Sequence, residues 1–120
     1  MVYQDLVVWQ KSMELVKQTY ALIKNLPAEE KYALCDQIRR SAVSIPANIA
    51  EGYGRDTTKD YVHFLNIARG SKNELETHLQ ICVMLQYLSK EDVDSLMNLS
   101  DEIGRMLSAM IKKLGTKKAE

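Results

Sequence analysis

A proline stands at position 46 in the middle of a stretch that otherwise reads as uninterrupted helix. Proline inside a helix removes one backbone hydrogen bond and crowds the carbonyl four residues back, at a cost of roughly 3 kcal/mol. Its neighbours are mostly small or polar: Ser44-Ile45-Pro46-Ala47-Asn48-Ile49-Ala50-Glu51-Gly52-Tyr53-Gly54. A chain that keeps proline there is expected to hold one particular bent shape, fixed by whatever packs against that block. The rest of the chain must then supply helices to pack.

Apolar periodicity supplies four. Leu6, Trp9, Met13, Val16, Tyr20 and Ile23 recur at steps of three and four, a seam on one helix from about Tyr3 to Leu26. Pro27 ends that helix, because the residue before proline is pushed out of the α region. Glu29 and Glu30 open a second helix with negative charge near its positive end, and its core stripe is Leu34, Ile38, Ala42, Ile45, Ile49 and Tyr53. Gly52 and Gly54 weaken its end, and Arg55-Asp56 forms the turn. Thr57 with Asp60 resembles a capping box for a third helix reaching Leu88, with Tyr61, Phe64, Ala68, Ser71, Leu75, His78, Cys82 and Leu85 on its seam. Ser89 with Asp92 starts a fourth, whose seam includes Leu96, Leu99, Ile103, Met106 and Met110 and whose C-cap is expected at Gly115. The fold class is therefore all-α, an antiparallel up-down-up-down four-helix bundle. One domain spans residues 1–115, and residues 116–120 are expected to fray.

Two helices carry more apolar or small surface than one bundle needs. Val8, Leu15 and Leu22 repeat every seven residues on helix one, about 130° from its main seam. Val43, Ala47, Ala50 and Gly54 form a small-residue stripe roughly 140° from the core stripe of helix two. These faces are either buried inside a single bundle or form a subunit interface; their length over two or more turns favours the interface. Helix two also carries a polar stripe, Gln37, Ser41, Ser44, Asn48, Glu51 and Arg55, which is either a solvated flank or a hydrogen-bonded seam fixing register. Ser41 or Ser44 could offer a hydroxyl to backbone groups freed by Pro46. Gly70-Ser71, in mid-helix, points to close helix packing, since glycine there costs about 0.5–1 kcal/mol relative to alanine.

Charge and chemistry narrow the function. Sixteen basic residues balance sixteen acidic ones, and no helix departs from neutrality by more than one charge. Sequence-independent nucleic-acid binding scales with phosphates neutralised, so any such binding is expected to be weak at physiological salt. Arg39, Arg40, Arg55, Arg69, Lys112 and Lys113 are the candidate contacts. No catalytic, cofactor-binding or metal-ligating residue is expected: a di-iron bundle needs two Glu-x-x-His pairs, whereas this chain offers Asp60 with His63 and Glu74 with His78. Gly52-Tyr53-Gly54 lacks both the third glycine and the strand of a phosphate loop. Cys35 and Cys82 have no metal-like spacing and read as buried, reduced thiols. With neither a leader-like segment nor a membrane-length apolar run, a cytoplasmic location is expected.

Taken together, Val8-Trp9-Gln10-Lys11, Gln37-Ile38-Arg39-Arg40-Ser41-Ala42, the block from Ser44 to Gly52, and Ala68-Arg69-Gly70-Ser71 with Glu74-Leu75-Glu76 resemble one family. It is the bacterial four-helix-bundle family first named for proteins encoded by intervening sequences in 23S rRNA genes. Its motif residues here are Ser44, Pro46, Asn48, Glu51, Gly52, Gly70 and Ser71, and Tyr61 stands where phenylalanine is common. The resemblance implies a bundle of left-handed twist that assembles into a ring-like homopentamer, with no established catalytic activity. It also implies kinship with a markedly basic accessory protein of diversity-generating retroelements, which partners a reverse transcriptase; the present chain is neutral. The expected function is a non-enzymatic assembly or adaptor protein, with an RNA- or DNA-binding accessory as the alternative.

Overall fold

The computed structural model describes residues 1–119, with side chains described through Gly115. Four α-helices carry the fold: α1 (Val7–Ile23), α2 (Leu34–Tyr53), α3 (Thr58–Met84) and α4 (Lys90–Ala119). Short 3-10 turns, Tyr3–Asp5 and Ala28–Glu30, precede α1 and α2. Each helix packs on the next along the chain and α4 closes back on α1, with the most extensive contact between α2 and α3. The result is a bundle measuring 50 × 21 × 20 Å.

Local chemistry sets the boundaries. Thr57 Oγ1 accepts from the Asp60 backbone N–H at 3.1 Å. Before α4 the box is reciprocal: the Asp92 N–H donates to Ser89 Oγ (3.0 Å) and the Ser89 N–H donates to Asp92 Oδ2 (2.8 Å). Both caps satisfy backbone donors that a helix start leaves open. α2 begins at Leu34, later than the sequence suggests, because Pro27 is followed by a 3-10 turn in place of an α-helical one. α4 runs through Gly115 to Ala119, so the expected C-cap is not there; Glu120, in the expected tail, lies outside the described residues.

The core corrects the reading of helix one. Val8 (2% exposed) and Leu15 (0%) are sealed inside the protomer, and Leu22 is half-buried against the same cluster. Val8 and Leu15 are core residues and cannot present a face to another subunit. Met13 (44%) and Tyr20 (42%), from the stripe read as the seam, face outward instead. The true buried stripe is Val8, Ser12, Leu15, Thr19 and Ile23, disguised by two hydroxyls. Each hydroxyl is satisfied locally: Ser12 Oγ donates to the Val8 carbonyl at 2.6 Å and Thr19 Oγ1 to the Leu15 carbonyl at 2.7 Å. A hydroxyl bonded back to its own helix no longer needs water, and can lie in a core at little cost.

Pro46 lies buried within a continuous α2. Ser41 Oγ donates to the Ile38 carbonyl at 3.0 Å, and Ser44 turns toward α3. The hydroxyls are thus not spent on the carbonyl that proline frees. Close approach of α2 and α3 is instead secured by Gly52, where an added Cβ would lie 2.8 Å from Phe64 Cβ and 3.2 Å from the Tyr61 carbonyl oxygen. At Gly70 the same construction meets nothing within 4 Å, so the expectation of close packing there is corrected. Gly104 is the second glycine with a steric role: the Lys72 chain lies across it, Nζ 2.8 Å from where a Cβ would be.

Candidate functional site

With α1's core stripe turned inward, its outer flank carries Met13 and, seven residues on, Tyr20. On α2 the stripe Val43, Ala47 and Ala50 is exposed, exposed and half-buried, Val43 retaining 43% of its surface. The two stripes meet where Tyr20 and Val43 line one depression of about 440 Å³ with Arg39 and Arg40. Apolar side chains left this exposed on neighbouring helices make an apolar band, edged at Tyr20 and Val43 by Arg39, Arg40 and Asp36. Val43, Ala47 and Ala50 thus lie where the sequence put them, on an outward face. Their partners on α1 are Met13 and Tyr20, which the sequence reading assigned to the core.

The opposite flank of α2 faces α3 through the motif residues. Asn48 Nδ2 donates to both the Ser44 carbonyl and Ser44 Oγ at 2.8 Å, and Ser44 Oγ shares a 2.8 Å hydrogen bond with Ser71 Oγ, in which either hydroxyl can donate. Ser44, Asn48 and Ser71 therefore form one network across the two helices, half-buried and able to fix their register. Glu51 lies beyond it on the surface, paired with Arg55 at 2.8 Å. A second polar lock joins α3 to α4: Lys72 Nζ pairs with Glu76 Oε2 at 3.1 Å, and Ser100 Oγ donates to the same carboxylate oxygen at 2.6 Å. α1 and α4 are bridged by Lys11 and Glu102 at 2.7 Å.

The six candidate nucleic-acid contacts are scattered. Arg39 is tied to Asp36 Oδ1 and the Lys31 carbonyl, both at 3.0 Å. Arg55 pairs with Glu51 and lies 4.7 Å over the Phe64 ring. Arg69 donates to Asn66 Oδ1 and Ser108 Oγ. Arg40 is exposed on the apolar face, and Lys112 and Lys113 are exposed late in α4. Arg39 and Arg40 share a cavity.

The cysteines and His78 are absorbed by packing, while His63 is exposed. His63 meets Phe64 edge-on at 5.2 Å, and His78 Nε2 lies 3.4 Å from Glu74 Oε1 with its buried Nδ1 unpartnered. Cys35 and Cys82 are free and buried. Burial pushes the Cys82 thiol up to about 11, reinforced by Cys35 and Glu30, and raises Cys35 as well. Both shifts favour the neutral thiol. Among the described residues no helix is long and apolar enough to cross a membrane.

Comparison with known proteins places the chain within a family. The profile of the 23S rRNA-intervening sequence protein family matches residues 4–109, and the chain belongs to that family. It is also similar to a crystal structure of a protein with unknown function, from the S23 ribosomal protein family, of Bacteroides thetaiotaomicron. The two are 36% identical with a TM-score of 0.82, over 88% of this chain and 99% of that one. No curated protein matches the chain.

Proposed function

We propose that this protein is a non-enzymatic assembly or adaptor protein of the cytoplasm that works as a ring-like homopentamer. Its protomer is an antiparallel up-down-up-down bundle of left-handed twist. Alternating direction is supported by the short connections and by the pairing of early α3 with late α2, as in Gly52 with Phe64 and Ser44 with Ser71. One observation carries the assembly: the apolar band of Met13, Tyr20, Val43 and Ala47 across two adjacent helices. A second copy of the chain is its occupant, as family resemblance implies, because small residues on α2 admit a neighbouring helix closely.

Variants separate this face from the core. Tyr20→Glu with Val43→Glu places carboxylates in the interface alone, and burying unpaired charge costs several kcal/mol. The pair should reduce the native mass to that of one chain with the far-ultraviolet circular dichroism retained. Leu15→Glu should instead lose helical signal, because position 15 is inside the protomer. Unchanged mass in the Tyr20/Val43 pair would refute the assembly face.

The alternative, an RNA- or DNA-binding accessory, draws on Arg40, whose side chain has no ion-pair or hydrogen-bond partner among the described residues. Five copies of it around one pore would make a multivalent site. Titration of labelled RNA and DNA against salt decides it: sub-micromolar affinity at ~0.15 M salt with a steep slope would favour the accessory.

A further inference from the structure

One cavity on this surface is lined by cationic side chains without a carboxylate. It opens over the segment that joins α1 to α2, with a volume of about 380 Å³. Ile23, Leu26, Pro27 and Cys35 give it an apolar floor, and Tyr20 borders it. Its only charged lining is Lys24, Lys31 and Arg39; no acidic side chain lines it. The Lys24 side chain has no ion-pair or hydrogen-bond partner among the described residues, and Lys31 Nζ rests 5.4 Å from the ring of its neighbour Tyr32. Arg39 is held in place through Nη2 alone, by Asp36 and the Lys31 carbonyl, which leaves Nε and Nη1 unengaged among the described residues.

We propose that this cavity binds a small amphipathic organic anion: a carboxylate or phosphate monoester carrying an apolar or aromatic group. The floor supplies burial for the apolar group, and a volume of this order suits a small ligand. The sign of the head group is set by Lys24 and Lys31, with no carboxylate in the lining; Arg39, paired with Asp36 through Nη2, adds N–H groups that take carboxylate or phosphate oxygens readily. The other cation-lined depressions lack this property. At Arg69, Lys72 and Arg105 the cavity is also lined by Asp101, which holds Arg105 at 3.2 Å, while Glu76 takes Lys72. The groove at Arg40 and His78 is lined by Glu30 and Asp36. Every residue lining the cavity belongs to one protomer, and Tyr20 and Arg39 also line the depression on the proposed assembly face.

Calorimetric titration of the full chain with octanoate, phenyl phosphate, inorganic phosphate and octyltrimethylammonium tests it. At least one organic anion should bind saturably, one per chain; octanoate and phenyl phosphate tell which head group is preferred. Inorganic phosphate should bind at least roughly tenfold more weakly, and the cation should not bind. Lys24 and Lys31 are exposed, so Lys24→Glu with Lys31→Glu should keep the circular dichroism spectrum and lower organic-anion affinity at least roughly tenfold. If that pair fails to fold, Lys24→Gln with Lys31→Gln replaces it, with the same direction expected. No saturation by either organic anion up to about 10 mM, a ligand weaker than any useful site, would overturn the proposal. So would unchanged affinity in the lysine variants, or equal binding of inorganic phosphate or of the cation.

Discussion

Gln86 has a φ of 64°, a left-handed conformation that glycine adopts without penalty and side-chain-bearing residues do not. It sits just past the end of α3, where the Tyr87 N–H donates to the Cys82 carbonyl (2.9 Å) and the Gln86 N–H to the Val83 carbonyl (3.0 Å). This is the Schellman pattern, with glutamine in the position glycine usually takes. Gln86→Gly should therefore raise stability by about 0.5–1 kcal/mol, read as a higher urea midpoint, and a lower midpoint would contradict the account. Glycines elsewhere divide by what lies above them. Gly52→Ala should destabilise by about 1–3 kcal/mol, because the atoms in the way are Phe64 Cβ and backbone, which cannot move aside cheaply. Gly70→Ala should stabilise the protomer by about 0.5–1 kcal/mol, since nothing meets the added methyl. Thermal unfolding of the two variants side by side checks both signs.

At the scale of helices, α1 shows what a sequence conceals. Of the seam that periodicity selects, Trp9, Val16 and Ile23 pack on the core, whereas Met13 and Tyr20 face outward. Ser12 and Thr19 read as polar, and only their bonds to the carbonyls four residues back make them core. The stripes of α2 held no such disguise: Ile38, Ala42, Ile45 and Ile49 are all buried, and the small stripe through Val43 and Ala47 is exposed, as its spacing indicated. Capping residues were legible for the same reason, since Thr57 and Ser89 act within three residues of themselves. The Ser44–Ser71 bond and the cation-lined cavity were not, because each joins positions whose nearness arises only when helices pack. The α2–α3 contact also carries a pH dependence. Burial raises the Cys82 thiol to about 11, and Cys35 and Tyr61 move upward with it. An acid whose folded pKa is raised keeps its proton longer when folded. Its contribution is intact below the ordinary thiol value of 9.0 and is lost as pH climbs toward 11. The urea midpoint should fall across that window, with Cys82 contributing up to about 1.4 kcal/mol per pH unit. Cys82→Ala should flatten the decline; an identical slope in the variant would show that the thiol is not its source.

The whole molecule presents two kinds of surface to its surroundings. Along α1 and α2 runs an apolar band; over the α1–α2 connection lies a small cationic cavity, in a chain whose formal net charge is zero. Formal neutrality, with Arg39, Arg55 and Arg105 each paired to a carboxylate, favours self-association through the band over attraction to a polyanion. A neutral chain that exposes Met13, Tyr20 and Val43 gains by covering them, and closed rings cover such faces without leaving open ends. Light scattering after size exclusion, on the unmodified chain at micromolar concentration, measures this most directly. The account predicts a single species with the mass of five 13.7 kDa protomers. A clean 13.7 kDa monomer would contradict it.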